Sequence, residues 1–161
     1  MYPSSDQQLS YETDDAVYFF SHAFDPLNPW SGHQVKIWGK TFPTAEHAYH
    51  YRKFTETLPK VANQIRRAPS AWAAMQIERR HKSKSRTDWD QVKAGIMEEI
   101  LRALVAQNQD VRDVLMATGK KAIIKNAHED GFWGIGSSGK GQNVMGKIYM
   151  QIRKELQEGS Q

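Results

Sequence analysis

The chain has 161 residues, room for one domain of ordinary size whose core removes roughly 70% of the unfolded surface from water. Hydrophobic residues make up 39% and charged residues 25%, a globular balance and not a disordered one. With no cysteine, disulfides, a thiolate nucleophile and cysteine-based metal sites are all excluded. A formal net charge of +4 suits a phosphate-bearing ligand or nucleic acid without choosing between them. No apolar run approaches the ~20 residues of a membrane helix, and the opening MYPSSDQQLSYETDD is too polar and acidic for a secretory leader. The expectation is a cytoplasmic protein with no membrane partner.

Residues 1–15 read as a flexible lead-in to a single domain over 16–157, and Gln157–Gln161 as a fraying end. Val17-Tyr18-Phe19-Phe20 is a short apolar run with strand preference. Gln34-Val35-Lys36-Ile37-Trp38 alternates polar and apolar before the turn pair Gly39-Lys40. These two segments are expected to form one small sheet. Thr44 is placed to cap a helix running to about Thr57. Pro59 and Pro69 each sit where a further helix can begin. Asp88 is placed to cap the longest helix, which ends near Gln107. Its apolar positions, Trp89, Val92, Ile96, Met97, Ile100, Leu101, Leu104 and Val105, recur with a 3.6-residue period. Asn108 or Asp110 opens a shorter helix that Gly119 ends. Ala122-Ile123-Ile124 is a strand candidate, and Val144, Ile148, Tyr149, Ile152 and Leu156 mark a last amphipathic helix. The fold class is mainly α: one compact helical domain with a small β element.

Several residues break these patterns. Lys93 falls inside the apolar stripe of the longest helix, four residues after Trp89. Such a lysine either snorkels to water or sits in a drier pocket, where a lowered pKa frees its amine to attack carbon. Glu46 shares a helix face with Tyr49, His50 and Lys53. It forms either a surface ion pair or a pocket carboxylate serving as general acid or base. His47 and His50 make an H-x-x-H pair that lacks the spacing of a zinc-protease helix, and no metal site is expected.

The segment Asp130-Gly-Phe-Trp-Gly-Ile-Gly-Ser-Ser-Gly-Lys-Gly-Gln-Asn143 contains G-x-G-x-x-G at Gly134, Gly136 and Gly139. No βαβ unit surrounds it, which argues against a dinucleotide fold. Gly141 stands where a phosphate-binding loop needs Ser or Thr after Lys140. The glycines permit close backbone approach and aim amides at an anion, leading into a helix N-terminus. Phe132 and Trp133 offer flat faces for a heterocycle. The basic run Arg79–Arg86 reads equally as a solvated face or as a contact surface for single-stranded nucleic acid.

At this point the chain resembles a family. Phe19-Phe20-Ser21-His22-Ala23-Phe24, Phe42–Phe54, Arg86-Thr87-Asp88-Trp89-Asp90-Gln91-Val92-Lys93, and Asp130-Gly131-Phe132-Trp133-Gly134 with Asn143, Gly146, Met150 and Arg153 together resemble the NADAR, or YbiA-like, superfamily. The departures are His22 and Ala23 inserted before Phe24, Phe132 where Tyr is common and Met145 where Leu is common.

The resemblance implies a mainly α fold and hydrolysis of N-glycosidic bonds between a ribose-phosphate moiety and a base, with no cofactor. Two substrate classes are attached to it. One is ADP-ribose on guanine in DNA, removed through a lysine Schiff base, and this is the first expectation. The other is the ribosylamino-pyrimidine intermediates of riboflavin synthesis, which release ribose 5-phosphate. A third reading is a non-catalytic ADP-ribose or NAD module, which needs neither Glu46 nor Lys93. On the enzyme reading Lys93 is the nucleophile and Glu46 the acid/base. Trp89 and Trp133 stack the base, Asp130 orients Lys93 or contacts the sugar, and Asn143 with Gly134, Gly136 and Gly139 holds phosphate. Phe132, Lys53 and Phe20 complete the candidate substrate contacts.

Overall fold

The computed structural model describes residues 10–20 and 26–159, so Ser21, His22, Ala23 and Phe24 of the first block lie outside the described residues. The elements in order are β1 (Tyr11–Glu12), β2 (Ala16–Phe19), β3 (Val35–Ile37), β4 (Lys40–Phe42), α1 (Ala45–Arg52), α2 (Pro59–Arg66), α3 (Ala71–His81), a short 3-10 turn (Lys82–Lys84), α4 (Trp89–Gln107), α5 (Gln109–Ala117), β5 (Ala122–Lys125) and α6 (Val144–Gly159). The fold is mainly α with two small sheets, as expected. Among the described residues no helix is long and apolar enough to cross a membrane. The chain divides into two units, one from the residues up to Asn28 with Gln109 onward, the other from Pro29–Asn108.

In the first unit, β2 pairs antiparallel with β1 and parallel with β5. The expected lead-in over 1–15 therefore contains a strand. A two-residue strand leaves almost no periodic signal. The run around Val17 and the run around Val35 do not share a sheet, because β3 pairs with β4 instead. The core of this unit gathers Phe19, Leu27, Leu115, Ile123 and Tyr149, all nearly inaccessible. The Tyr149 hydroxyl donates to the Leu27 carbonyl at 2.6 Å, which satisfies the polar end of a buried ring.

β5 is the edge of its sheet, and unpaired edges need cover. Asn143 supplies it. Its Nδ2 donates to the Ile123 carbonyl and its Oδ1 accepts from the Lys125 amide, both at 2.9 Å. Asn143 holds φ +49°, a left-handed conformation that Asn tolerates better than most residues. A Cβ on Gly146, one turn later, would stand 2.1 Å from the Ile123 carbonyl, so only glycine lets α6 approach the strand this closely.

In the second unit, β3 and β4 form a hairpin closed by Trp38 and Gly39. Both have positive φ, as a two-residue primed turn requires. Trp38 stacks on Tyr51 and meets Phe42 edge-on, which fixes the hairpin against α1. The Thr44 hydroxyl accepts from the His47 amide at 3.1 Å, the expected cap. Helix α1 ends at Arg52, short of Thr57. Leu58 must be extended before Pro59 (φ −139°, ψ 73°), and α2 then starts at that proline. Helix α3 starts at Ala71 with Ser70 as its cap, one residue after Pro69. Asp88 occupies the cap position of α4, but its carboxylate makes no capping bond. It accepts both ends of the Arg86 fork, at 2.6 and 2.9 Å. The predicted stripe of α4 is buried from Ile96 to Val105, while Trp89 and Val92 are half-buried.

Asn143→Ala leaves a buried strand amide and carbonyl without partners. It is expected to cost about 3 kcal/mol in chemical denaturation. A loss below about 0.5 kcal/mol means the edge of β5 does not depend on that side chain.

Candidate functional site

Helix α1 delivers four side chains at i, i+3, i+4 and i+7 to one face: Glu46, Tyr49, His50 and Lys53. The Glu46 carboxylate lies 2.8 Å from His50 Nε2, with the side chains 15% and 7% exposed. This is a sheltered pair and not the surface one. Lys53 Nζ reaches across to Glu78 of α3 at 3.0 Å, again with both partners buried. The same ammonium lies 5.2 Å from the centroid of Tyr49 and 5.4 Å from that of Trp89. Those two rings meet edge-to-face at 4.9 Å. The Lys53 carbonyl accepts from the Arg86 amide at 2.9 Å, which ties the segment before α4 to the end of α1 and so sets Trp89 against Tyr49.

Burial pushes the Lys53 ammonium below the usual lysine range, partly offset by the attraction of Glu78 and Glu46. The sheltered amine over an indole is thus Lys53, where sequence reasoning places Lys93. The Lys93 side chain is 21% exposed, and its Nζ lies 3.3 Å from Asp90, itself 86% exposed. The stripe of α4 begins in earnest at Ile96, a turn after Lys93, so the apolar pattern overstated the burial of its first residues.

His47, fully buried, is structural. Its Nε2 donates to the Ala68 carbonyl at 3.0 Å, which leaves Nδ1 to accept from the Thr44 hydroxyl at 2.7 Å. That is the neutral ring, and burial lowers its pKa accordingly. His50 points instead to Glu46, so the H-x-x-H pair does not converge. No group of three potential His, Asp or Glu ligands stands together among the described residues.

Phe20 and the aromatic–glycine segment belong to the first unit. Asp130 Oδ1 accepts from the Phe132 and Trp133 amides at 3.0 and 2.9 Å, so this carboxylate shapes the turn. Phe132 and Trp133 are half-buried and meet edge-to-face at 4.8 Å. Several amides of the glycine loop are turned inward onto neighbouring carbonyls, where the expectation aimed them at an anion. Ile135 donates to Lys125, Gly136 to Ala127 and Asp130, Gly141 to Ile135, Gln142 to Gly131 and Asn143 to Gly134. The first amides of α6, Val144 and Met145, donate to the Phe132 and Trp133 carbonyls. Gly134 and Gly136 are there for space: a Cβ would come within 2.6 Å of the Lys125 carbonyl at the first and 3.0 Å of Gly131 at the second. The oxygen and one N–H of the Asn143 side-chain amide are engaged on β5, which gives this side chain a structural task at the strand edge.

Helical spacing already offered His50 and Lys53 as ion-pair partners of Glu46, and the structure pairs Glu46 with His50, sheltered where a surface pair was one of the two readings. Sequence reasoning missed Glu78 entirely. Glu78 leads into the run Glu-Arg-Arg-His-Lys, and nothing local distinguishes it from a solvated charge.

Two acidic side chains, Glu46 and Glu78, stand with one lysine around the aromatic rings, a setting that favours a cation developing on a substrate over a bound phosphate. A model of the NADAR domain matches residues 10–157. The chain belongs to the NADAR family. The N-glycosidase YbiA of Escherichia coli K12 is similar to this NADAR chain, with 31% identity over 157 residues that cover 96% of this chain and 97% of that protein. An N-glycosidase of Nostoc punctiforme is 30% identical over 143 residues, covering 87% and 92%. A riboflavin biosynthesis protein of Vibrio vulnificus is 31% identical over 149 residues, covering 90% of this chain and 40% of its own length. The NMR structure of E. coli YbiA shares the fold with a TM-score of 0.78 at 28% identity, covering 97% of this chain and 93% of that one.

Lys53→Met strands the Glu78 carboxylate in the interior and is expected to destabilise the protein by about 3–5 kcal/mol, whereas Lys53→Met with Glu78→Met recovers most of it. Denaturant titration of both variants checks this. Equal losses in the single and double variants would mean the two side chains are not coupled.

Proposed function

We propose that this chain hydrolyses the N-glycosidic bond between a phosphorylated ribose and a base, with Glu46 as proton donor to the departing base. The observation that carries the reading is the sheltered cluster on one helix face, with Glu46 held by His50 and a lysine amine held over the Tyr49 and Trp89 rings. Cleavage sends the bond pair to the base nitrogen, which takes the Glu46 proton. The anomeric carbon is left positive, beside carboxylates that lower the cost of that charge. An unprotonated lysine then bonds to this carbon. As the ring C–O bond opens, the ring oxygen takes up a proton and an imine forms. Water adds to the imine, frees the sugar and returns the amine. Trp89 offers an indole face for the base.

Burial beside two rings favours Lys53 as that amine. Lys93, one turn beyond Trp89, is the other candidate. Of substrates, ADP-ribose on guanine in DNA is supported by the exposed cations Arg79, Arg80, Lys82 and Lys84, which give a polyanionic strand a surface to follow. The ribosylamino-pyrimidine class is the second reading, supported by the Vibrio vulnificus relative's name.

Incubating the protein with each substrate and weighing the released base by mass spectrometry tests the activity. Glu46→Gln is expected to slow release by about 10²–10⁴-fold with little change in melting temperature. Turnover near wild type in that variant removes Glu46 from the acid/base role.

A further inference from the structure

Helix α3 carries a buried carboxylate that the chemistry above leaves unassigned. Glu78 is 5% exposed and its Oε1 lies 3.0 Å from Lys53 Nζ. A buried ion pair is rarely the most stable filling of such a space, since apolar side chains of similar volume serve as well or better. Stability alone therefore gives α3 little reason to place an acid there. The geometry suggests another reason. A lysine stem has four rotatable carbons, yet this one is fixed at its tip, with two ring faces and a carboxylate oxygen around Nζ.

We infer that Glu78 is a positioning residue for the Lys53 amine: it holds Nζ at the Trp89 ring and accepts the proton that Lys53 must lose before it can react. The transfer balances within the pair. The ammonium becomes an amine with a lone pair, the carboxylate becomes a carboxylic acid, and the proton returns when the imine is hydrolysed. The charged groups acting on Lys53 are Glu78 from α3, Glu46 from its own helix, and Lys82 from the turn after α3, which opposes the two acids. Burial makes the Lys53 ammonium readier to give up its proton, and the Glu78 oxygen 3.0 Å from Nζ is placed to take it. This inference rests on the N-glycosidase reading and on Lys53 as its amine.

The test needs two readouts. The first is reductive methylation with isotopic formaldehyde and borohydride across pH, followed at the Lys53 peptide by mass spectrometry. It needs no substrate. Removing the neighbouring carboxylate in Glu78→Gln is expected to move the Lys53 labelling curve to lower pH by about one unit, with exposed Lys60 unmoved. The second is turnover on the substrate the wild type accepts. Glu78→Gln is expected to lose about 10²-fold in kcat, with the acid limb of the pH profile displaced in the same direction. Glu78→Asp, which keeps the charge but draws it back by one methylene, is expected to restore the labelling curve and part of kcat. Should Glu78→Gln fail to fold, Glu78→Met, which removes the charge with an apolar side chain of similar volume, reads both effects. An unshifted labelling curve overturns the inference whatever the substrate proves to be. A shifted curve with undiminished turnover also overturns it, leaving Glu78 an electrostatic neighbour only. Absence of base release by the wild type counts against the N-glycosidase reading and is separable from the labelling result.

Discussion

A desolvated ammonium cannot stand alone. That constraint organises the functional half of the second unit. Lys53 leaves water at the end of α1, and its charge must be met where it lies. Glu78 meets it from α3, and the Tyr49 and Trp89 ring faces meet it from α1 and α4. Three helices are thereby held to one point. The Arg86 amide on the Lys53 carbonyl adds a backbone tie at the same residue. The side chains that carry the proposed chemistry are also those that fix the spacing of the helices around it. Rigid placement of this kind is what glycosidic cleavage asks of an acid and an amine.

The first unit obeys a different constraint. Its three-stranded sheet ends in β5, whose outer edge is closed by Asn143 and by the Ile135 amide. The glycine-rich loop folds back on its own carbonyls to reach that position. Glycines that suggest anion binding in one dimension are needed in three for close packing of loop on loop. The motif carries little information about phosphate because the same composition serves both ends.

Much of the helical scaffold was legible. The Thr44 cap, the Pro59 start and the 3.6-residue stripe from Ile96 to Val105 are local signals, and the helices follow them. Strand partners were not legible, since β2 finds β5 about a hundred residues away and sequence neighbours give no hint of it. The site was half legible. Glu46 and Trp89 announced themselves by spacing and by family resemblance. The depth of Lys53 did not, because its shelter comes from residues on α3 and α4. The choice between Lys53 and Lys93 turns on how far the apolar stripe of α4 persists toward its N-terminus. Periodicity describes which face a residue is on, not how much protein lies over it.

The sharpest test is to add borohydride to the unaltered protein during turnover and sequence the tryptic peptides that carry sugar mass. The account predicts a single reduced adduct on Lys53. An adduct confined to Lys93, or base release with no adduct on any lysine, contradicts it.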